Sequence, residues 1–360
     1  MKNPIGNLSS NAIYAKVHAM QADLLKAEDY EALLHCNKIS ELGSYLKMHT
    51  AYADCFLNIN TNQLHRARLE MLVQKSLLTR IAALCAFEKR LGQELHTLLL
   101  LRADINYILL CADYFESAAA GDFVYELPPF FQENTMLSLE KLHKARTPQD
   151  LLLAVEGTIF AQPVTQVLKS SNGFSISVLE NRLYDLLYRK AQAFANAHFR
   201  GKEKEQILEV FRMRADMKML ESICRQKSYY HADLSLQNDS FFHTDVSTFS
   251  REDLGSMLAA ANVDDVLDVV KNSKYGKYVT DKEEVIERKT QWIELCMLQK
   301  NLRFSTSPTL CMISFIGILE NESRNLTHII EGIHYHVPAN DIFDQLIQVG
   351  KSNSFGKECI

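Results

Sequence analysis

The run Asp264-Asp265-Val266-Leu267-Asp268 is the most chemically suggestive in the chain. Asp264 and Asp268 stand one helical turn apart and share a face. In this D-D-x-x-D form, all-helical prenyl-transferring and terpene-forming enzymes hold Mg²⁺ against a diphosphate. Such a site needs a second acidic cluster well downstream, and the 92 residues after Asp268 hold none of that kind. The alternative is a helix start, where acids are favoured by the positive end of the helix dipole. That is the reading adopted for Asp264, Asp265 and Asp268. His334-x-His336 offers two metal-capable side chains but no third ligand in view. No G-x-x-x-x-G-K-[ST], G-x-G-x-x-G or G-x-S-x-G run occurs, so neither a phosphate cradle nor a nucleophile elbow is in evidence. No catalytic residue, metal ligand or cofactor is predicted.

The elements that would carry any site are helices. Gly is scarce, 13 in 360 residues, and only seven Pro occur, with none between Pro163 and Pro308. Apolar residues recur at helical spacing, as in Ile13, Val17, Met20, Leu24 and in Leu179, Leu183, Leu186, Leu187. The stretch from about Leu64 to Phe115 predicts one very long helix or two in tandem, with Gly92 as its weak breaker. Breaks are expected at Gly121–Pro129 and at Ala232–Ser247, cutting the chain into near-thirds at 1–120, 121–231 and 232–360. A net charge of −5 without a basic stripe excludes the footprint of a nucleic-acid binder. Eight scattered Cys without a C-x-x-C pair read as reduced core residues. The most apolar stretch, Thr309 to Leu319, is about half of what a bilayer span requires, so the chain is expected to stay outside the membrane.

The thirds can be overlaid. A hydroxyl residue two before an aromatic recurs as Thr50-Ala51-Tyr52, Thr158-Ile159-Phe160 and Ser273-Lys274-Tyr275, at steps of 108 and 115 residues. Downstream in each third an acid precedes an aliphatic by four: Asp104 before Ile108, Asp216 before Leu220, Glu322 before Leu326. The first two acids even sit in the same tripeptide, Arg102-Ala103-Asp104 and Arg214-Ala215-Asp216. A carboxylate thus recurs at an apolar seam, either as a solvated surface acid or as a polar contact fixing how helices meet. Each acid is assigned to the third whose marker precedes it.

The run Tyr14-Ala15-Lys16-Val17-His18-Ala19-Met20, followed by Leu24-Leu25, Tyr30, Leu33-Leu34 and Leu46…Thr50-Ala51-Tyr52, resembles the opening of V-type ATPase C/d subunits. The run Pro308, Phe315, Glu320-Asn321-Glu322, Asn325-Leu326, Ile329 and Pro338 is similar to that family's closing motif. The resemblance implies an all-α fold of three helical repeats with pseudo-threefold symmetry around a funnel. It also implies a non-catalytic rotor component of an ATP-driven or ATP-synthesising complex that moves H⁺ or Na⁺. One copy would lie on the cytoplasmic face of the membrane, held by protein contacts to shaft subunits of the D/F type and to the proteolipid ring. The other readings are a helical adaptor of another complex and the Mg²⁺-dependent enzyme already weighed.

Overall fold

A computed structural model describes residues 4–92, 94–113, 115, 127–169, 173–230, 246–279 and 286–348. Sixteen α-helices and short 3₁₀ turns make up the regular structure of these residues, with no strand among them. In chain order the helices are α1 (Pro4–Gln21), α2 (Ala27–Leu34), α3 (Ile39–His49), α4 (Arg66–Arg90), α5 (Leu95–Asp113), α6 (Pro129–Asn134), α7 (Leu139–Lys144) and α8 (Pro148–Ala154). There follow α9 (Ala161–Leu168), α10 (Ile176–His198), α11 (Gly201–Tyr230), α12 (Arg251–Ala259), α13 (Val263–Lys271), α14 (Ile286–Phe304), α15 (Pro308–His334) and α16 (Ala339–Gln345). Three times a pair of short helices and a tight turn lead to a pair of long helices, with the short helix α9 intervening in the second set. The short pairs are α2–α3, α7–α8 and α12–α13; the long pairs are α4–α5, α10–α11 and α14–α15.

Local chemistry explains these boundaries. The 64–115 stretch is two helices, broken at Gly92, whose φ of +72° is a conformation that glycine adopts without steric cost. Helix α8 opens on Thr147, whose hydroxyl accepts from the Asp150 amide while Asp150 caps in return, with Pro148 in the first turn. Ser250 and Asp253 form the same reciprocal cap on α12. Asn262 caps α13, and Asp264 and Asp265 lie in its first turn. Most of the two predicted breaks, residues 121–126 and 232–245, lies outside the described residues.

The chain forms two compact units. The first takes Met1–Gln93, Tyr125–Phe130 and Gln291–Ile360, and so draws on both ends of the sequence. Its core gathers Leu33, Leu42, Leu46, Phe56, Leu69 and Val73 from the N-terminal helices with Leu326, Ile329 and Ile330 of α15. Helix α15 is the axis of this unit and packs on α1, α2, α3, α4 and α16. Leu310 through Leu319 are all buried, the pattern of a helix enclosed on every side. Burying each such aliphatic side chain contributes about 1.5–3 kcal/mol.

The second unit takes Glu94–Val124 and Phe131–Thr290. Helix α10 lies between α5 and α11, presenting the buried residues Leu179, Leu183, Leu187, Ala191 and Ala195. Helix α13 turns Val266, Leu267 and Val270 inward and packs on α11 and α12. Helix α5 is long and apolar enough to cross a membrane, a feature absent from the reading built on Thr309 to Leu319. Most of its apolar stretch is buried inside the protein, as in a core helix.

Cys36, Cys55, Cys85, Cys111, Cys224 and Cys311 form no disulfide, as expected of reduced thiols, with Cys36 and Cys55 half-buried and the other four buried. Cys296 departs from that expectation, being disulfide-bonded. Cys359 lies outside the described residues.

Candidate functional site

The hydroxyl-x-aromatic tripeptides build one turn three times over. The Thr50 hydroxyl donates to the Leu46 carbonyl at 2.7 Å, that of Thr158 to Val155 at 2.6 Å, and that of Ser273 to Val270 at 2.7 Å. Each hydroxyl oxygen then accepts from the amide two residues on, Tyr52 and Phe160 at 3.2 Å and Tyr275 at 3.1 Å. These short polar side chains end the preceding helix by giving a carbonyl near its end a donor and the outgoing chain an acceptor. In the third turn only glycine fits at 276, because a Cβ there would lie 1.9 Å from the Lys271 carbonyl oxygen. The aromatics Tyr52, Phe160 and Tyr275 are all buried.

The three acids are also buried; Asp104 and Asp216 bind turns that follow them in the chain, and Glu322 binds the first marker near the start of the chain rather than that of its own third. Asp216, on α11, accepts from the Ser247 hydroxyl at 2.5 Å, the Thr248 amide at 3.0 Å and the Tyr275 hydroxyl at 2.6 Å. Asp104, on α5, accepts from the Thr135 hydroxyl at 2.5 Å and the Met136 amide at 3.2 Å. The amides of Leu137 and Phe249 return to the Thr135 and Ser247 hydroxyls, both at 3.0 Å, so these receiving turns are alike as well. Glu322, on α15, accepts from the Leu25 amide at 2.6 Å and the Tyr52 hydroxyl at 2.9 Å. Its third partner is the Arg80 guanidinium at 3.3 Å, which also lies over the Tyr52 ring at 4.6 Å. The last acid thus closes onto the first marker.

The electrostatics of the three differ. Burial raises the carboxyl pKa of Glu322, and Arg80, the Leu25 amide and Tyr52 oppose the rise. Burial likewise raises Asp216, against the Ser247, Thr248 and Tyr275 hydrogen bonds. Lys274 stands over the Tyr275 ring at 4.9 Å and senses the Asp216 charge. The repeat marker that corresponds in sequence order to Tyr275 and Tyr52 is here Phe160, which has no hydroxyl to donate, and the partners of Asp104 among the described residues are Thr135 and Met136. Its pKa is pushed up to about 6 by burial, with those two hydrogen bonds holding it down.

Asn325 does not join the carboxylate. Its amide nitrogen donates to the Ile347 carbonyl at 2.8 Å and its oxygen accepts from the Ile347 amide at 3.0 Å, which pins the chain beyond α16 to α15. At the corresponding positions of the earlier acids, Tyr107 bonds to His143 and Met219 packs in the core. Of the D-D-x-x-D run, Asp264 and Asp265 lie in the first turn of α13 and Asp265 takes part in its cap. The Asp265 amide donates to Asn262 at 2.9 Å, the Asp265 carboxylate accepts from the Ala261 amide at 3.3 Å, and Asp268 pairs with Lys271 at 3.0 Å. His334 and His336 are both exposed, and no group of three metal-capable side chains is present among the described residues.

Thr135, Met136, Ser247, Thr248 and Arg80 were not singled out from the sequence, and Leu25 entered only as part of the opening run and not as a partner of an acid. A signal for four of them exists: Thr135 and Ser247 each follow their acid by 31 residues, with the donating amide at 32. Leu25 and Arg80 carry no such signal, since they precede Glu322 by 297 and 242 residues.

Fold and site together define a helical protein built from recurring helix sets tied by buried carboxylates, with no reactive group assembled among the described residues. The chain belongs to the ATP synthase (C/AC39) subunit family, whose model matches residues 13–345. Similar curated proteins are named as the C subunit of an A-type ATP synthase. That of Thermococcus onnurineus is 22% identical over 323 residues, covering 87% of this chain and 83% of the relative. That of Pyrococcus abyssi is 20% identical over 274 residues, covering 76% and 70%. The Pyrococcus furiosus protein is 24% identical over 200 residues, covering 52% of this chain and about half, 51%, of the relative. The resemblance to V-type ATPase C/d subunits, carried by residues 14–52 and 308–338, is thereby borne out.

Proposed function

We propose that this protein is a non-catalytic coupler that joins the central shaft to the membrane proteolipid ring and transmits torque for ATP-coupled H⁺ or Na⁺ transport. In this reading the thirds 1–120, 121–231 and 232–360 are copies of one helical module arranged with pseudo-threefold symmetry around a funnel. Thr50, Tyr52, Thr158, Phe160, Ser273, Tyr275 and the acids Asp104, Asp216, Glu322 mark equivalent places. The coupler sits once per complex on the cytoplasmic face, bound to shaft subunits of the D/F type and to the ring through protein contacts. The observation that carries the reading is the carboxylate latch made three times by long, glycine-poor helices. A torque-bearing part needs stiffness, and buried charge-assisted hydrogen bonds between elements provide it.

Removing this protein from an otherwise complete complex tests the proposal. The soluble head should still hydrolyse ATP while ion pumping vanishes. Loss of hydrolysis by a head that remains assembled would require a direct catalytic or regulatory role instead.

A further inference from the structure

The two long stretches of the first compact unit, Met1–Gln93 and Gln291–Ile360, are joined covalently only through chain that passes through the second unit. Contacts alone therefore decide how α15 sits against α1–α4. The apolar part of that contact is extensive but weakly directional, since Leu326, Ile329, Ile330 and Ile333 repeat similar aliphatic shapes at each turn. A helix with such a face can shift by one turn and still bury most of its surface. In the second unit Asp104 and Asp216 reach turns only 31 and 32 residues away, where the intervening chain itself limits the choice. Glu322 has no such tether, its partners being 297, 270 and 242 residues distant.

We propose that the Glu322–Arg80–Tyr52–Leu25 cluster sets the register in which the C-terminal helix α15 docks against the N-terminal helices. Only one register brings the carboxylate to an amide, a hydroxyl and a guanidinium together. A shift of one turn would strand Glu322 and Arg80 among Leu, Ile and Val without each other, and an unpaired buried charge costs far more than a repacked aliphatic. Near the cluster, Gln74 donates to the Ser323 hydroxyl at 3.4 Å, and farther along α15 Arg66 reaches Glu331 at 3.2 Å. Both are compatible with the register that Glu322 selects. The cluster's contribution is thus to exclude alternatives rather than to add net stability, because a buried ion pair often gains nothing over well-packed apolar side chains.

The test is a cross-linking comparison in the full chain. Gln74→Cys is paired with Ser323→Cys for the observed register and with Glu320→Cys or Thr327→Cys for registers shifted by about one turn. Disulfide-linked peptides are identified by mass spectrometry after oxidation. With the cluster intact, the 74–323 pair should form at least about ten times faster than either shifted pair. In the background Glu322→Met, Arg80→Met, Tyr52→Phe, helicity and cooperative melting should persist while the three rates converge to within about threefold. Retained selectivity in a folded triple variant overturns the proposal. If the triple variant does not fold, Glu322→Met with Arg80→Met, which keeps Tyr52, is measured in the same way. Failure of both backgrounds to fold also overturns it, since the cluster would then be a stability element and not a selector of register.

Discussion

The latches of Glu322 and Asp104 do similar work under opposite conditions. Glu322 closes a contact between residues almost 300 apart in sequence, and it carries the longer side chain, a tyrosine and a guanidinium. Asp104 closes a contact across 31 residues with a hydroxyl and an amide. Ordering a loop about ten times longer costs about 2 kcal/mol more in chain entropy. Reinforcement therefore stands where the chain itself supplies least constraint. The difference teaches that one recurring contact can be tuned, within a single chain, by how much its surroundings already restrict it.

The sharpest way to break the comparison is to remove the cation from the Glu322 set. Arg80→Met should destabilise the chain by about 3–5 kcal/mol, because it leaves a buried carboxylate without its counter-charge. Glu322→Gln added to it should recover part of that loss. Chemical denaturation followed by circular dichroism measures both, and a cost below about 1 kcal/mol for Arg80→Met would remove the ion pair from the account.

Next in size is the response of Asp104 to pH. Its pKa of about 6 in the folded chain lies above the 3.8 of a free carboxyl. The folded state thus binds a proton that the unfolded state has already released. Stability should accordingly rise as pH falls from about 7.5 through 6 toward 4.5, by about 2–3 kcal/mol from this group. Asp104→Asn should flatten that part of the profile, and an unchanged slope would show that the carboxyl titrates normally. Phe160→Tyr sharpens the same point. If the ring lies where the Tyr275 ring lies in its set, the added hydroxyl should lower the Asp104 midpoint, as read by carboxyl NMR.

Tyr275→Phe makes the Asp216 set resemble that of Asp104. The loss of one hydrogen bond to a buried acid should cost about 1–2 kcal/mol and raise the Asp216 pKa further. Thermal melting of Tyr275→Phe beside Tyr52→Phe shows whether the two hydroxyls matter alike. The smallest effect is expected where no latch is involved. Asp264→Asn and Asp268→Asn should each cost a few tenths of a kcal/mol, and Asp265→Asn, which also accepts from the Ala261 amide, up to about 1 kcal/mol. A Mg²⁺-dependent activity lost with these changes, in a chain still folded, would overturn their assignment to capping.

Much of the local structure was legible in the residues. Few glycines and prolines, aliphatics at helical spacing and Gly92 between Arg90 and Leu95 account for the long helices and the break at Gly92. Thr50, Thr158 and Ser273 announce their turns because the interactions that form them span four residues or fewer. Asp264 and Asp265 could be read as a helix start because Asn262 precedes them and the cap closes within three residues. The acids were legible as a recurring polar group on an apolar seam, since helical geometry alone places Asp104 beside Ile108 and Glu322 beside Leu326.

What faces each acid was decided only by the folded chain. The overlay put Asp104 with Thr50, Asp216 with Thr158 and Glu322 with Ser273, following their order in sequence. In space Asp216 reaches Tyr275, and Glu322 returns across the whole chain to Tyr52 and Leu25. The physical reason lies in the range of the forces involved. Helix propensity, capping and turn formation act within a few residues and leave their mark on spacing. Burial obliges a carboxylate to find donors, yet it does not specify which donors, and Arg80 or the Leu25 amide becomes a partner only once α15 has packed against the helices that carry them.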